Sequence, residues 1–187
     1  MGTVTNRTVW VYRPVLKFLA VEASTQAPLE TGGVLMGYFG KSENTPVILW
    51  ATRAGSQADH GRDYYRPDCE FDESQIATMY KRSHQQISYL GDWHTHPAPC
   101  ARLSHRDKRA LRRIAVCKSA RVGTPLMLVL SYDGQWDVAV WQGKVHKSCR
   151  CIWLNRFSTT QLTIRLFSEF KGMPNLSRTK ERGNPEN

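Results

Sequence analysis

The stretch from Gly91 to Leu111 constrains the fold of this chain more than any other segment. The residues before His94 are mostly apolar and β-prone and contain no proline, which predicts a strand that runs through His96. Residues two apart on a strand point the same way, about 6.6 Å from each other, so both imidazoles can be directed at one point. Zinc takes histidine nitrogen at roughly 2.0–2.1 Å, so this strand end predicts a metal site.

The second half of the same stretch offers a third metal ligand. Ser104 is typical of a helix N-cap, and Asp107 follows it in the first turn. The predicted helix places Asp107 in line with the apolar Leu111, and a carboxylate on a buried face needs a cation. The spacing S-x-x-D is also an ordinary capping arrangement, and H-x-H alone is weak. The prediction of a metal site therefore depends on the H-x-H and S-x-x-D patterns occurring together in this stretch.

The complete pattern, His94-Thr95-His96-Pro97 followed by Ser104-x-x-Asp107, resembles the JAMM motif of the JAB/MPN metallopeptidases. That family also has a glutamate upstream, before a glycine-rich strand. Here Glu30 precedes the strand-like segment Gly32–Phe39, which begins with a glycine pair. All five motif positions are matched, over a resemblance that covers most of the chain.

The resemblance implies a catalytic zinc centre, with one zinc per chain and an open fourth position for water. The zinc ligands would be His94, His96 and Asp107. Glu30 would act as the general base that takes the proton of the water and delivers it to the leaving amine. Ser104 would donate a hydrogen bond to the developing oxyanion.

The family implies cleavage of isopeptide bonds that join ubiquitin or ubiquitin-like C-termini to lysine. The short form with GDWHTHP is similar to the bacterial deconjugases of CBASS antiphage operons. Those enzymes release a cGAS-like nucleotidyltransferase from conjugates made by a ubiquitin-activating and conjugating type of enzyme. Other bacterial ubiquitin-like pathways fit the motif equally well. A zinc-free MPN scaffold and a basic nucleic-acid module are the alternatives from other classes, although no motif ligand is missing.

Hydrophobic periodicity predicts an α/β (α+β) fold, a single domain with a mixed β-sheet flanked by helices. Strands are predicted at 3–12, 32–39, 46–52, before His96, at 125–132 and at 135–141, and helices at 14–24, 71–85 and after Ser104. Residues 54–69 are polar and aperiodic and predict a loop in which His60 faces solvent. The JAB/MPN-like domain is expected to span 1–155, followed by a C-terminal helix at 156–171 and a disordered tail at 172–187.

Composition limits the location and the partners of the protein. No apolar run approaches the roughly 20 residues that span a bilayer, and the N-terminus lacks the apolar core of a signal peptide. Five scattered cysteines do not resemble a disulfide framework, which favours the reducing cytoplasm. Cys100, four residues after His96, is a further thiol that could reach the metal.

The net charge of +10 is concentrated between Arg102 and Arg121, where eight basic residues accompany one acid. Three of them, Arg106, Arg109 and Arg113, recur on one side of the predicted helix, away from the face that carries Asp107. A solvated helix face and an acidic protein partner both explain this charge. Nucleic acid is the least favoured partner, because no interleaved aromatic residues mark a stacking platform.

Overall fold

The computed structural model describes residues 7–40, 44–97, 100–146 and 156–169. The described strands are β1 (Thr8–Tyr12), β2 (Gly32–Phe39), β3 (Pro46–Ala51), β4 (Asp59–His60), β5 (Tyr65–Arg66), β6 (Ser88–His96), β7 (Leu126–Tyr132), β8 (Trp136–His146) and β9 (Arg156–Phe167). The described helices are α1 (Arg13–Gln26), α2 (Cys69–Arg82) and α3 (His105–Val116). In the part of the chain that is described, each helix is too short or too polar to cross a bilayer.

Seven strands form one mixed sheet in the order β1-β3-β2-β6-β7-β8-β9, and the parallel pairing of β1 with β9 closes it into a barrel. The mixed sheet flanked by helices is therefore confirmed, and its closure is an additional finding. The predicted bounds of β2 agree with the structure, and β8 extends beyond the strand predicted at 135–141, to His146. Strands β4 and β5 form a separate two-stranded hairpin within the segment predicted to be a loop.

The predicted C-terminal helix at 156–171 is wrong, because Arg156–Phe167 is strand β9. This strand pairs antiparallel with β8 and parallel with β1, so its backbone groups are satisfied by the sheet. It belongs to the same barrel as the rest of the domain. Leu162 is buried in the core, whereas Leu166 is exposed. The expected tail at 172–187 lies outside the described residues.

Apolar side chains from the sheet and from α1 form the main hydrophobic core. Helix α1 begins at Arg13, with Pro14 in its first turn, where the missing N–H costs nothing. Its buried residues Val15, Leu19 and Ala23 repeat every four positions and pack against the sheet. Trp93 on β6 is buried in the same cluster and donates from its indole N–H to the carbonyl of Thr52, at 2.9 Å.

Helix α3 packs on the outside of the sheet beside β7 and β8. Leu111 is fully buried and lies over Gly143 of β8, where a Cβ atom would meet the Leu111 side chain. Met127 and Val129 of β7 complete this small core. The packing fixes the N-terminus of α3 next to the C-terminal end of β6, the two ends that the motif predicted to meet.

Candidate metal centre

The two motif histidines lie at the C-terminal end of β6 and point away from the barrel core. Alternation on the strand buries Trp93 and Thr95 on the core side and turns His94 and His96 to the other side. Their Nε2 atoms are 3.0 Å apart. The Nδ1 atom of His96 lies 3.0 Å from the main-chain carbonyl of Cys100. Since a carbonyl only accepts, Nδ1 carries a proton, and in the neutral ring Nε2 of His96 is the nitrogen whose lone pair can bind a metal.

Asp107 reaches the same point from the first turn of α3. The Ser104 hydroxyl accepts from the Asp107 N–H at 3.2 Å, and the Asp107 carboxylate accepts from the Ser104 N–H at 2.6 Å. This capping box fixes the carboxylate at the start of the helix. One carboxylate oxygen lies 3.3 Å from Nε2 of His94, and the other lies 3.4 Å from Nε2 of His96.

These three side chains form a group with the donor set and the size of a metal site. Three ligand atoms at roughly 2.0–2.1 Å from a tetrahedral zinc would lie about 3.3 Å from one another. The two Nε2 atoms are 3.0 Å apart, each lies 3.3 or 3.4 Å from a different Asp107 oxygen, and one ligand atom from each residue lies within 4.8 Å of the other two. His94, His96 and Asp107 therefore fit a tetrahedral ion that keeps a fourth position for another ligand.

The electrostatics of this group also favour a cation. Burial opposes ionisation of Asp107, but hydrogen bonds from His94 and His96 outweigh it and hold the pKa of the carboxyl well below its usual range. Burial lowers the pKa of His96, yet the hydrogen bond to Asp107 reverses this and raises that pKa. The carboxylate is thus ionised at physiological pH, and it draws positive charge into the space between the three groups.

Glu30 lies two residues before the start of β2 and lines the same cleft as the three candidate ligands. Burial raises the pKa of its carboxyl, while the nearby imidazoles of His94 and His96 oppose the rise. The following glycine pair explains how β2 comes so close to its neighbours. A Cβ atom on Gly32 would meet the Trp93 carbonyl and the Tyr65 ring, and one on Gly33 would meet Thr52.

The backbone of Glu30 is held by the β4–β5 hairpin. Its N–H donates to the carbonyl of Gly61 at 2.7 Å, and its carbonyl lies 2.8 Å from Nδ1 of His60. His60 is half-buried against the Tyr65 ring, so the expectation that it faces solvent is wrong. It lies outside the metal-ligand group of the described residues. The aperiodic sequence of 54–69 gave no signal for this contact, which forms only in the folded chain.

Ser104 contributes its side chain to the site, whereas Cys100 contributes its main-chain carbonyl. The Ser104 side chain lies in the cleft, and its hydroxyl accepts one hydrogen bond while its own proton stays available. The Cys100 thiol is exposed, and the contact of this residue with the site is the carbonyl that accepts from His96. Cys100 thus orients a histidine through its backbone.

A cleft of about 1160 Å³ contains the candidate metal centre, Glu30 and Ser104. One wall is a face of α3 with residues three, four or seven apart, and these are Arg106, Arg109, Ala110, Arg113, Ile114 and Cys117. The shared side of the three arginines is therefore confirmed, but it lines the same cleft as Asp107, from which it was expected to point away.

The opposite wall contains acidic and tyrosine side chains that the sequence did not single out. Burial, and then the charge of Asp92, raise the pKa of Asp72 to about 7. Burial raises the pKa of Asp92 to about 6, although a hydrogen bond from Tyr89, at 2.6 Å, opposes the rise. Tyr65 lines the same cleft near both carboxyls, and its buried hydroxyl has no hydrogen-bond partner among the described residues. This wall comes from β5, α2 and β6, and its assembly depends on tertiary packing.

Comparison with known proteins agrees with this geometry. The family described as prokaryotic homologs of the JAB domain matches residues 13–148. A protein of Sinorhizobium fredii named "Probable metalloprotease y4qB" is 34% identical over 161 residues, which cover 85% of this chain and 96% of that protein. A protein of Enterobacter hormaechei named "CD-NTase/cGAS isopeptidase" is 27% identical over 104 residues, 56% of each chain.

A solved structure shares the fold. The solution structure of protein DSY2949 from Desulfitobacterium hafniense superposes with a TM-score of 0.63 and 17% identity, covering 88% of this chain and 96% of that one. At this identity the likeness concerns the fold alone. The family assignment follows from the match to residues 13–148 and from the 34% identity with the Sinorhizobium fredii protein. The chain belongs to the prokaryotic JAB family.

Proposed function

We propose that this protein is a zinc-dependent isopeptidase of the JAMM type, with one zinc held by His94, His96 and Asp107. The observation that carries the proposal is the convergence of three side chains, each with one ligand atom within 4.8 Å of the ligand atoms of the other two. Three protein ligands are typical of catalytic zinc, whereas structural zinc has four. The capping box and the contact from His96 to Cys100 hold two of the ligands in this arrangement.

When bound, zinc supplies a Lewis acid that polarises a carbonyl and lowers the pKa of a water molecule to near 7. Glu30 acts as the general base that takes the proton from the attacking water. Its partial burial raises its pKa towards the working pH, which improves a carboxylate as a base. The same carboxyl then delivers the proton to the leaving amine.

Ser104 stabilises the oxyanion that develops on the scissile carbonyl. Its hydroxyl accepts from the Asp107 N–H, so the O–H proton can point into the cleft. One such donor contributes roughly 3 kcal/mol to the stabilisation of the transition state. The residue that caps α3 therefore also takes part in catalysis.

The substrate is an isopeptide conjugate in which a protein C-terminus is joined to a lysine side chain. The name of the Enterobacter hormaechei relative supports a cGAS-like nucleotidyltransferase as the conjugated protein. A ubiquitin-like protein of another bacterial pathway is the second candidate. Both would link this enzyme to a ubiquitin-activating and conjugating type of enzyme in the cytoplasm, in a role of antiviral defence. The free thiols of Cys69, Cys100 and Cys117 fit that compartment.

A pair of fluorescent probes tests the proposal. In the first, the C-terminal carboxyl of a bacterial CD-NTase is joined to the ε-amino group of a lysine in a dye-labelled peptide. In the second, a bacterial ubiquitin-like protein replaces the CD-NTase. Release of the dye peptide, followed by anisotropy, is expected for one probe with the wild-type chain and is expected to be lost in Glu30→Gln. Cleavage by Glu30→Gln at the wild-type rate, or no cleavage of either probe by zinc-loaded wild type, would overturn it.

A further inference from the structure

The basic residues of α3 divide into two sets by direction. Arg109 and Arg113 line the cleft together with the candidate metal centre, as does Arg106. Lys108 and Arg112 are exposed on the same helix but do not line the cleft. The positive charge that α3 contributes to the cleft therefore lies on one face of the helix.

Arg109 and Arg113, the two cleft-lining arginines beyond the first turn of α3, form no ion pair with an acid among the described residues. Arg106 donates to the carbonyl of Asp63 at 3.2 Å, and this contact ties it to the β4–β5 hairpin. Within residues 7–40, 44–97, 100–146 and 156–169, the ion pairs join Arg66 to Asp59 and the two motif histidines to Asp107. Arg109 and Arg113 are thus available to pair with an acidic group of a molecule in the cleft.

The spacing of these two arginines matches an extended polypeptide. Four residues on an α-helix correspond to about 6 Å along its axis. In an extended chain, side chains two residues apart point the same way at about 6.6 Å. The wall from Arg106 to Cys117 is about 16 Å long, which accommodates about five extended residues.

We propose that the α3 wall binds an extended segment of the protein substrate through two acidic side chains, two residues apart, that pair with Arg109 and Arg113. This inference rests on the proposed function, since the segment lies beside the scissile bond. Asp63, Asp72 and Asp92 line the cleft and face the segment from other elements. Since the cationic side chains of this wall lie on α3, the acidic side chains of the segment pair there. The match between the helical spacing of Arg109 and Arg113 and the spacing of alternate side chains in an extended chain favours a polypeptide as the occupant.

A binding measurement with charge-matched peptides tests the inference. The probes are two dye-labelled peptides of equal composition, one with glutamates at alternate positions and one with the glutamates contiguous. The protein is the zinc-loaded Glu30→Gln chain, which prevents turnover, and binding is followed by anisotropy. Because binding is measured without cleavage, failure of the docking proposal is distinguishable from failure of the proposed reaction.

The helix offers a matched pair of variants. Arg109→Glu with Arg113→Glu changes two cleft-lining charges, and Lys108→Glu with Arg112→Glu changes two charges at the same spacing outside the cleft. We expect the alternating peptide to bind more tightly than the contiguous one. The Arg109→Glu, Arg113→Glu variant should bind the alternating peptide about tenfold or more weakly, with a smaller salt dependence. The Lys108→Glu, Arg112→Glu variant should bind it with an affinity within about twofold of the parent protein.

Three results would overturn the proposal. The first is an equal loss of affinity in both double variants, which would indicate general attraction to a basic protein. The second is equal binding of the two peptides. The third is tighter binding of a single-stranded DNA oligonucleotide than of either peptide, with similar loss in both double variants, which would identify α3 as a nucleic-acid surface.

Discussion

The imidazole of His60 donates from Nδ1 to the main-chain carbonyl of Glu30, at 2.8 Å. The neighbouring carbonyl of Gly61 accepts from the Glu30 N–H at 2.7 Å, so the hairpin holds this residue from both sides. The same hairpin contacts α3 where Arg106 donates to Asp63. A segment without catalytic groups of its own thus fixes the proposed base relative to the helix that carries Ser104 and Asp107.

Removal of the His60 contact should lower kcat more than it changes KM. In His60→Ala the Glu30 carbonyl loses its donor, and we expect kcat to fall about tenfold or more, because small misplacements of catalytic groups have large effects. His60→Asn places an amide donor near the position of Nδ1 and should restore most of the activity. Steady-state kinetics with the isopeptide probe and metal analysis check this, with unchanged zinc content expected throughout. Equal kcat values in all three proteins would contradict a positioning role.

Glu30→Gln should separate chemistry from metal binding. The amide keeps the size of the side chain but takes no proton, so the rate should fall by a factor of about 100 or more. Zinc stoichiometry and the unfolding midpoint should stay at wild-type values. The exposed Glu73 of α2 lies outside the cleft, and Glu73→Gln provides a control with full activity. Loss of zinc from Glu30→Gln would indicate a ligand role instead.

Gly91→Ala should destabilise the fold near the site. Gly91 has φ of +146°, and a Cβ atom there would overlap the backbone of Leu126 on β7. We expect a loss of about 2–3 kcal/mol or more in the free energy of unfolding, measured by urea denaturation. At Gly123 the same substitution meets no atom within 4 Å, so Gly123→Ala should cost less than about 0.5 kcal/mol. Similar losses at the two positions would show that steric overlap is not the cause.

The Asp72 carboxyl should make stability depend on pH. Asp72 is 7% exposed, and burial raises its pKa to about 7, above the value of about 3.9 expected for the unfolded chain. The folded state therefore binds the proton of the Asp72 carboxyl more tightly than the unfolded state does. The stability that this proton contributes is present below about pH 4 and is lost as the pH rises to about 7.

The Asp72→Asn substitution removes the titrating carboxyl and tests whether its ionisation destabilises the folded state. The variant should gain about 1–2 kcal/mol over wild type at about pH 8.5, and the difference should shrink at about pH 5. Denaturant midpoints at both pH values measure it, with Asp133→Asn in an exposed turn as the control. A variant less stable than wild type at the higher pH would contradict this account.

Local patterns in the sequence predicted the parts of the site that are formed by residues close to one another in the sequence. The i, i+2 spacing of His94 and His96 and the capping pattern of Ser104 and Asp107 required one strand and one helix end. Glu30 lies far from both in sequence, and the resemblance to the JAB/MPN motif identified it. The contact from His60 and the acidic wall at Asp72 depend on tertiary packing, which left no periodic signal.

The error at β9 has a specific physical cause. Leu162 and Leu166 are four residues apart, which places them on one face of a helix but also on one face of a strand. The β-branched residues Thr159, Thr160, Thr163 and Ile164 favoured the strand. The decisive interaction is the pairing of β9 with β1, which are far apart in sequence. Periodicity within one segment cannot report such a pairing.

Zinc titration of the metal-stripped chain tests the central claim most directly. The chain is treated with a chelator, dialysed and returned to increasing zinc, while cleavage of the isopeptide probe is followed. We predict that the stripped wild type is inactive, that activity returns with one equivalent of zinc per chain, and that Asp107→Ala, which lacks a proposed ligand, stays inactive at that ratio. Full activity of the stripped wild type, or full recovery of Asp107→Ala at one equivalent, would contradict a catalytic zinc at His94, His96 and Asp107.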